Sequence, residues 1–222
     1  KLSDEGRLAR THGGALSVRY QRFDLPSSVR RNTLAAEKRR IAQQALSHIE
    51  ENDILAVDAS TTALELVCIL PDMPLTVITY GIDAARLLAD RPAIQVISTG
   101  GELDAQSICL LGPIAEDSLR RFSINKAFFS SKGVDLDRGY SEVSLAHASI
   151  KRLLMQLASR SFMLVDHSKF GVRSMAFSAK ISDTDVLITD DQTDERVLEK
   201  LARSGLEVEV ASAEAISERD SA

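Results

Sequence analysis

From about residue 35 to residue 210, short apolar runs alternate with amphipathic helical stretches, and this alternation constrains the fold more than any other feature. Leu34, Ile41, Ala45, Leu46 and Ile49 fall on one helical face, with Glu37, Arg39, Arg40 and Gln43 elsewhere, which predicts a helix over 35–50. Beyond it the pattern predicts strands over 54–58, 75–79, 94–98, 126–130, 161–165, 186–189 and 206–210. Helices are predicted over 61–70, 82–89, 113–122, 145–159 and 194–204, the third of these opening on Pro113, which a first helical turn tolerates. Short β-branched and aliphatic runs of this kind are strands buried on both faces. Alternating with helices, they predict an α/β fold with a mostly parallel sheet flanked by helices and right-handed crossovers.

The first 28 residues break the pattern. They hold a Gly13-Gly14 turn and a turn-like Leu25-Pro26-Ser27-Ser28, so the chain divides into 1–28 and a single α/β domain over 29–222. With 44% hydrophobic and 27% charged residues in 222, a sizeable core and a soluble surface are both available. No apolar run approaches the roughly 20 residues of a membrane span, and the polar residues 1–10 show no signal peptide. Cys68 and Cys109 lie among aliphatic neighbours with no Cys/His cluster nearby, which predicts buried free thiols and a reducing cytoplasm. The net charge of −5 and pI near 5.5 make the chain, taken alone, a poor grip for a nucleic-acid backbone.

In sheets of this type ligands bind beyond the carboxyl ends of the strands. Those ends carry Asp58-Ala59-Ser60-Thr61-Thr62, Thr79-Tyr80-Gly81, Ser98-Thr99-Gly100-Gly101-Glu102, Ser131-Lys132-Gly133 with Asp135 and Asp137, Asp166-His167-Ser168-Lys169-Phe170-Gly171, and Thr189-Asp190-Asp191. Ser60-Thr61-Thr62 at a helix start offers amides, hydroxyls and the positive end of a dipole to an anion such as phosphate. Read alone, the same segment fits simple N-capping better. Gly100-Gly101 suits a close backbone approach or an ordinary turn equally. Lys169 and Lys151 are each either a point charge for phosphate or a solvated lysine, and His167 reads as a loop residue.

No G-x-S-x-G elbow, P-loop, G-x-G-x-x-G or H-E-x-x-H occurs, and nothing calls for a cofactor or a metal. Glu102, Asp104, Asp135, Asp137 and Glu142 are acids without a discernible pairing, so binding is better supported than catalysis.

Taken in order, Arg10-Thr11-His12-Gly13-Gly14-Ala15, Glu37-Lys38 with Ile41-Ala42, Asp58 to Thr62, Gly100-Gly101-Glu102, Gly133 with Asp135, Gly139, Lys151, Asp166 to Phe170 and Thr189-Asp190 resemble the DeoR family of bacterial regulators. The resemblance runs from Gly6 to about Val210. It implies a fold similar to the ribose-5-phosphate isomerase and glucosamine-6-phosphate deaminase group. It also implies that 1–28 is the remnant of a winged helix-turn-helix wing and linker, and that 29–222 is the effector-binding domain. By resemblance, Ser60, Thr61 and Thr62 would hold an effector phosphate, with Gly100, Gly101, Glu102, Gly133, Asp135, Lys151 and Lys169 around the same pocket. Asp58, Thr79 and Tyr80 join the candidate site as strand-end residues. The family often has Gly where Ser60 stands and Asn where Tyr80 stands, and Lys132 is also unusual.

The leading expectation is therefore the ligand-sensing part of a transcriptional regulator of carbohydrate metabolism, most simply a repressor. Its expected partners are a phosphorylated sugar, operator DNA through the missing N-terminal module only, and further copies of itself in a homodimer or homotetramer, with no membrane. The alternatives are an aldose–ketose sugar-phosphate isomerase on the same fold, which the fold itself does not exclude, and a bare oligomerisation domain with a decayed pocket.

Overall fold

In a buried strand successive side chains point to opposite faces of the sheet, so the central strands here have to be apolar on both. The computed structural model describes residues 8–11, 14–17 and 26–212. Seven strands form one sheet: β3 (Ile54–Val57), β4 (Leu75–Thr79), β5 (Ile94–Ser98), β8 (Ile124–Phe129), β11 (Ala158–Leu164), β13 (Val186–Asp190) and β14 (Glu207–Ala211). Their order is β14-β13-β11-β8-β3-β4-β5, and all six pairings are parallel.

The two faces bury against different helices. On one, Leu55, Val57, Val77, Phe128, Phe162, Leu164, Val186 and Ile188 pack with α2 (Ala35–Leu46), α3 (Thr61–Ile69) and α4 (Ile82–Leu88). On the other, Ala56, Ile78, Ala127, Phe129, Met163, Val165 and Leu187 pack with α5 (Pro113–Leu119), α6 (Leu145–Leu157) and α7 (Glu195–Arg203). Phe128 and Phe162 stack across adjacent strands with centroids 4.7 Å apart, adding about 0.5–1.5 kcal/mol beyond the area they bury. The expected α/β sheet flanked by helices is what forms.

Strand order fixes where a ligand can enter. The chain starts the sheet at β3 and moves outward through β4 to β5. It then returns to place β8 on the other side of β3 and continues outward through β11, β13 and β14. The connections leaving β3 and β8 therefore diverge, opening a crevice at the carboxyl ends of this pair.

Three smaller pieces lie outside the sequence-based expectation. A hairpin, β6 (Glu102–Asp104) with β7 (Cys109–Leu111), follows Gly100-Gly101. A three-stranded antiparallel sheet joins β9 (Gly133–Asp135), β10 (Gly139–Glu142) and β12 (Ala176–Ala179) in the order β12-β10-β9. The segment expected to turn at 25–28 instead opens α1 (Ser27–Asn32) directly after Pro26, while Leu25 lies outside the described residues. Near the N-terminus β1 (Leu8–Thr11) pairs antiparallel with β2 (Gly14–Ser17); Gly13 of the expected turn is outside the described residues.

Boundaries shift for local reasons. The helix expected to reach residue 50 ends at Leu46, where the Ser47 hydroxyl donates to the Gln44 carbonyl at 2.7 Å and the chain soon turns through Asn52 at φ 68. The helix expected to reach residue 159 ends at Leu157, because Ala158 is already extended and begins β11.

Gly139 holds β10 in place. Its φ is +97, and a Cβ there would collide with the Ala179 carbonyl oxygen across the β10–β12 pairing. Gly139→Ala is expected to cost more than about 2 kcal/mol through backbone strain and lost pairing, read as a lower midpoint in chemical denaturation.

Candidate functional site

The crevice between β3 and β8 is a pocket enclosing about 760 Å³ with its open mouth. Of the residues expected to form the site, Asp58, Ser60, Thr61, Thr62, Tyr80, Lys151 and Lys169 line it. Its floor is built on Asp58, which is fully buried. Asp58 Oδ1 accepts from the Ser60 amide at 2.9 Å, and Oδ2 accepts from the Ser130 amide at 3.1 Å. One carboxylate thus ties the end of β3 to the end of β8.

Lys151 rises from α6 into the same floor. Its Nζ lies 3.2 Å from Asp58 Oδ2 and 3.1 Å from Glu142 Oε1, and it donates to the Ser130 carbonyl at 2.5 Å. Burial disfavours its charge, but Glu142 and Asp58 outweigh that and hold its pKa above the ordinary lysine value. Burial pushes Glu142 up, against the pull of Lys151, and Glu142 Oε2 has no hydrogen-bond partner among the described residues. Lys151 is thus a structural cation at the centre of a buried triad.

Above the floor, α3 opens onto the pocket. Ser60 is its N-cap, with Oγ accepting from the Ala63 amide at 3.1 Å. The capping interpretation of Ser60 is thereby realised, and the Thr61 and Thr62 amides make no hydrogen bond among the described residues. Such amides at a helix start are anion donors.

Several pocket residues were not among the candidates for the site. Arg30 from α1 and Lys38 from α2 come from helices ahead of the first sheet strand, where a search of strand ends does not look. Lys38 Nζ donates to the Thr33 carbonyl at 2.7 Å and to that of Arg30, and burial lowers its pKa to about 8. Asp166 accepts from the Ser168 amide at 3.1 Å and shapes the turn (His167–Lys169) that presents Lys169. His147 lies between Ser144 Oγ at 2.8 Å and Cys109 Sγ at 3.8 Å. Burial, then Lys151, lower its pKa to about 4, so it is neutral at pH 7. Burial pushes the Cys109 thiol up to about 12.

The other expected site residues lie outside this pocket. Thr79 supports it from below, donating to the Val57 carbonyl at 2.8 Å and accepting from the Gly81 amide at 3.0 Å. Gly100, Gly101 and Glu102 follow β5, the strand at the sheet's edge, two strands from the crevice. At Gly133 a Cβ would run into the Val172 carbonyl oxygen, so this glycine admits neighbouring backbone. Asp135 pairs with Arg173, which holds its carboxyl below the usual range, and faces a separate open depression with Asp137 and His167. Cys68 is only partly buried, short of the expectation for it, whereas Cys109 is buried; both are free thiols. Among the described residues no group of His, Cys, Asp and Glu is arranged to hold a metal, and no helix is long and apolar enough to cross a membrane.

Comparison with known proteins places the chain among bacterial transcriptional regulators. It is 39% identical over 194 residues to the uncharacterised HTH-type regulator YulB of Bacillus subtilis, covering 87% of this chain and 75% of that one. It is 36% identical to the transcriptional repressor AccR of Agrobacterium fabrum (87% and 76% covered) and 34% identical to the L-fucose operon activator of Haemophilus influenzae (86% and 76%). The profile of the DeoR C-terminal sensor domain matches residues 33–191. The chain belongs to the DeoR family and carries its sensor domain. Among solved structures, ribose 5-phosphate isomerase A of Methanocaldococcus jannaschii aligns with 60% of this chain and 53% of its own at 15% identity and a TM-score of 0.44.

Removing the cation from the triad leaves Asp58 and Glu142 buried beside each other. Lys151→Met is expected to cost about 3–5 kcal/mol, measured as a loss of unfolding free energy in urea.

Proposed function

We propose that the crevice binds the phosphate of a phosphorylated sugar and that its occupancy signals to the regulator's DNA-binding part. The observation that carries this reading is a helix start opening on a pocket with surplus positive charge. Among the described residues that line it, the cations Arg30, Lys38, Lys132, Lys151 and Lys169 outnumber the acids Asp58, Glu142 and Asp166. Lys151 is committed to two of those acids, and Lys38 and Lys169, which line the same pocket, would supply the charge for a phosphate at Thr61 and Thr62. The L-fucose operon activator among the relatives supports a role in carbohydrate metabolism. In this reading the β1–β2 hairpin is the wing of a helix-turn-helix module, the protein acts in the cytoplasm, and symmetric self-association presents paired modules to DNA. The signal itself requires different effector affinities in two states of the assembly.

Thr61→Glu removes space for the anion and adds repulsion. A charge-assisted contact to phosphate is worth about 1.5–3 kcal/mol, so affinity for the phosphorylated sugar should fall at least tenfold to a hundredfold, in rough terms. Calorimetry with a panel of sugar phosphates checks this. Equal affinity in Thr61→Glu and the unmodified protein would place the phosphate elsewhere.

One feature favours the isomerase alternative enough to merit its own assay. Glu142 Oε2 is buried, without a partner among the described residues and on the pocket wall, where a base for a proton beside a carbonyl would stand. Its other oxygen is fixed by Lys151, however, and Asp58 is not free to return the proton, being bound to Lys151 and two amides. A coupled assay with ribose 5-phosphate and hexose phosphates is expected to show background rates. Turnover that disappears in Glu142→Gln would convert the reading to an enzyme.

A further inference from the structure

Lys132 is the least expected lysine in the pocket. It is 8% exposed, and its Nζ has neither a hydrogen bond nor an ion pair among the described residues. Its backbone is fixed: its amide donates to the Ser141 carbonyl at 3.1 Å, and the preceding Ser131 Oγ donates to the carbonyls of Gly133 and Ser141, each at 2.9 Å. The side chain is therefore held on the β8 side of the crevice, across from the α3 terminus on the β3 side.

The charges around Nζ are unbalanced. Arg30 from α1, Lys151 from α6 and Lys169 from the turn after β11 repel it, and among the described residues the main attraction comes from Glu142 of β10, with one oxygen already on Lys151. His147 of α6 is neutral, and Asp58 is occupied by Lys151. Asp104 acts on Arg30 and His147 and is not among the main charges acting on Lys132. Burial and then Arg30 push the Lys132 pKa well below its ordinary value. A buried amine in this setting is relieved by an anion brought in by the ligand.

We propose that Lys132 makes the crevice selective for a phosphorylated sugar acid, with the phosphate on the α3 terminus and a carboxylate at the far end of the sugar paired with Lys132. This rests on the phosphate reading above and adds the second acidic group. A carboxylate is a monoanion of the size and geometry that one ammonium satisfies. A neutral hydroxyl would leave the amine without an ion pair among the described residues. Pairing with the carboxylate also raises the lowered pKa of Nζ, so binding favours proton uptake and weakens as pH rises.

The test uses matched probes: alditol phosphates and aldonate phosphates of four, five and six carbons, which differ only in CH₂OH against COO⁻ at the end opposite the phosphate. At the best chain length the aldonate phosphate is expected to bind at least about tenfold tighter in calorimetry. Repeating the titration in buffers of different ionisation enthalpy should show net proton uptake for the aldonate phosphate beyond that for the alditol phosphate. Lys132→Met should abolish both the preference and the proton uptake while alditol phosphate still binds. It should also unfold at the same or a higher temperature, because it removes a buried amine that has no ion pair among the described residues. Lys132→Arg should keep the preference. Equal binding of the two probe series, or a preference that survives Lys132→Met, overturns the proposal and leaves the phosphate reading standing. If every phosphorylated probe, including inorganic phosphate, fails to bind the unmodified protein, the phosphate reading and this proposal fall together.

Discussion

The site depends on one buried ion triad. Asp58 joins the amides that follow β3 and β8, and Lys151 joins Asp58 to Glu142 and to the Ser130 carbonyl. These contacts span the crevice where strand order reverses, so they set the separation of its walls. Such a triad contributes little net stability, because desolvating three charges offsets their attraction. What it contributes is position: the N-terminus of α3, the loop carrying Lys132 and the strand carrying Glu142 are referred to one ammonium. The small sheet β12-β10-β9 extends this frame, since Ser141 on β10 accepts from both Ser131 and Lys132 of the loop.

The layered sheet was legible in the sequence because its central strands are apolar runs and most of its crossovers carry a helix. Strand order was not. Residues 100–102 and residues 58–62 look alike as strand ends, yet β5 lies at the sheet edge and β3 in its middle. Only the tertiary pairing distinguishes an end that borders the crevice from one that does not. The strands β9 and β10 escaped notice because Gly133-Val134-Asp135 and Gly139-Tyr140-Ser141-Glu142 are too short and too mixed to show a period. Their burial comes from packing under α6 and the turn at Phe170, which sequence periodicity does not encode.

Lysines show the same division. Lys151 and Lys169 both suggest a phosphate contact, and both line the pocket. Two fully buried carboxylates absorb the charge of Lys151, and neither the acid of β10 nor its distance from α6 could be read from spacing. Lys132 looks in the sequence like an unusual residue beside a glycine. Its meaning depends on burial, on the absence of a counter-charge within the described residues, and on the cations that converge from α1, α6 and the turn after β11. A sequence supplies charges; only the fold states which of them remain uncompensated.

The α1–α2 junction is both a wall of the pocket and part of the chain's route from its N-terminal hairpin into the sheet. Arg30, Thr33, Leu34 and Lys38 all line the crevice, and Lys38 clasps the carbonyls of Arg30 and Thr33 from the far side of the bend. Leu34 makes that bend in the left-handed region, at φ 53. Anything that grips Lys38 from inside the pocket therefore also grips the tether. Occupancy of the pocket and the set of this bend are therefore one mechanical variable.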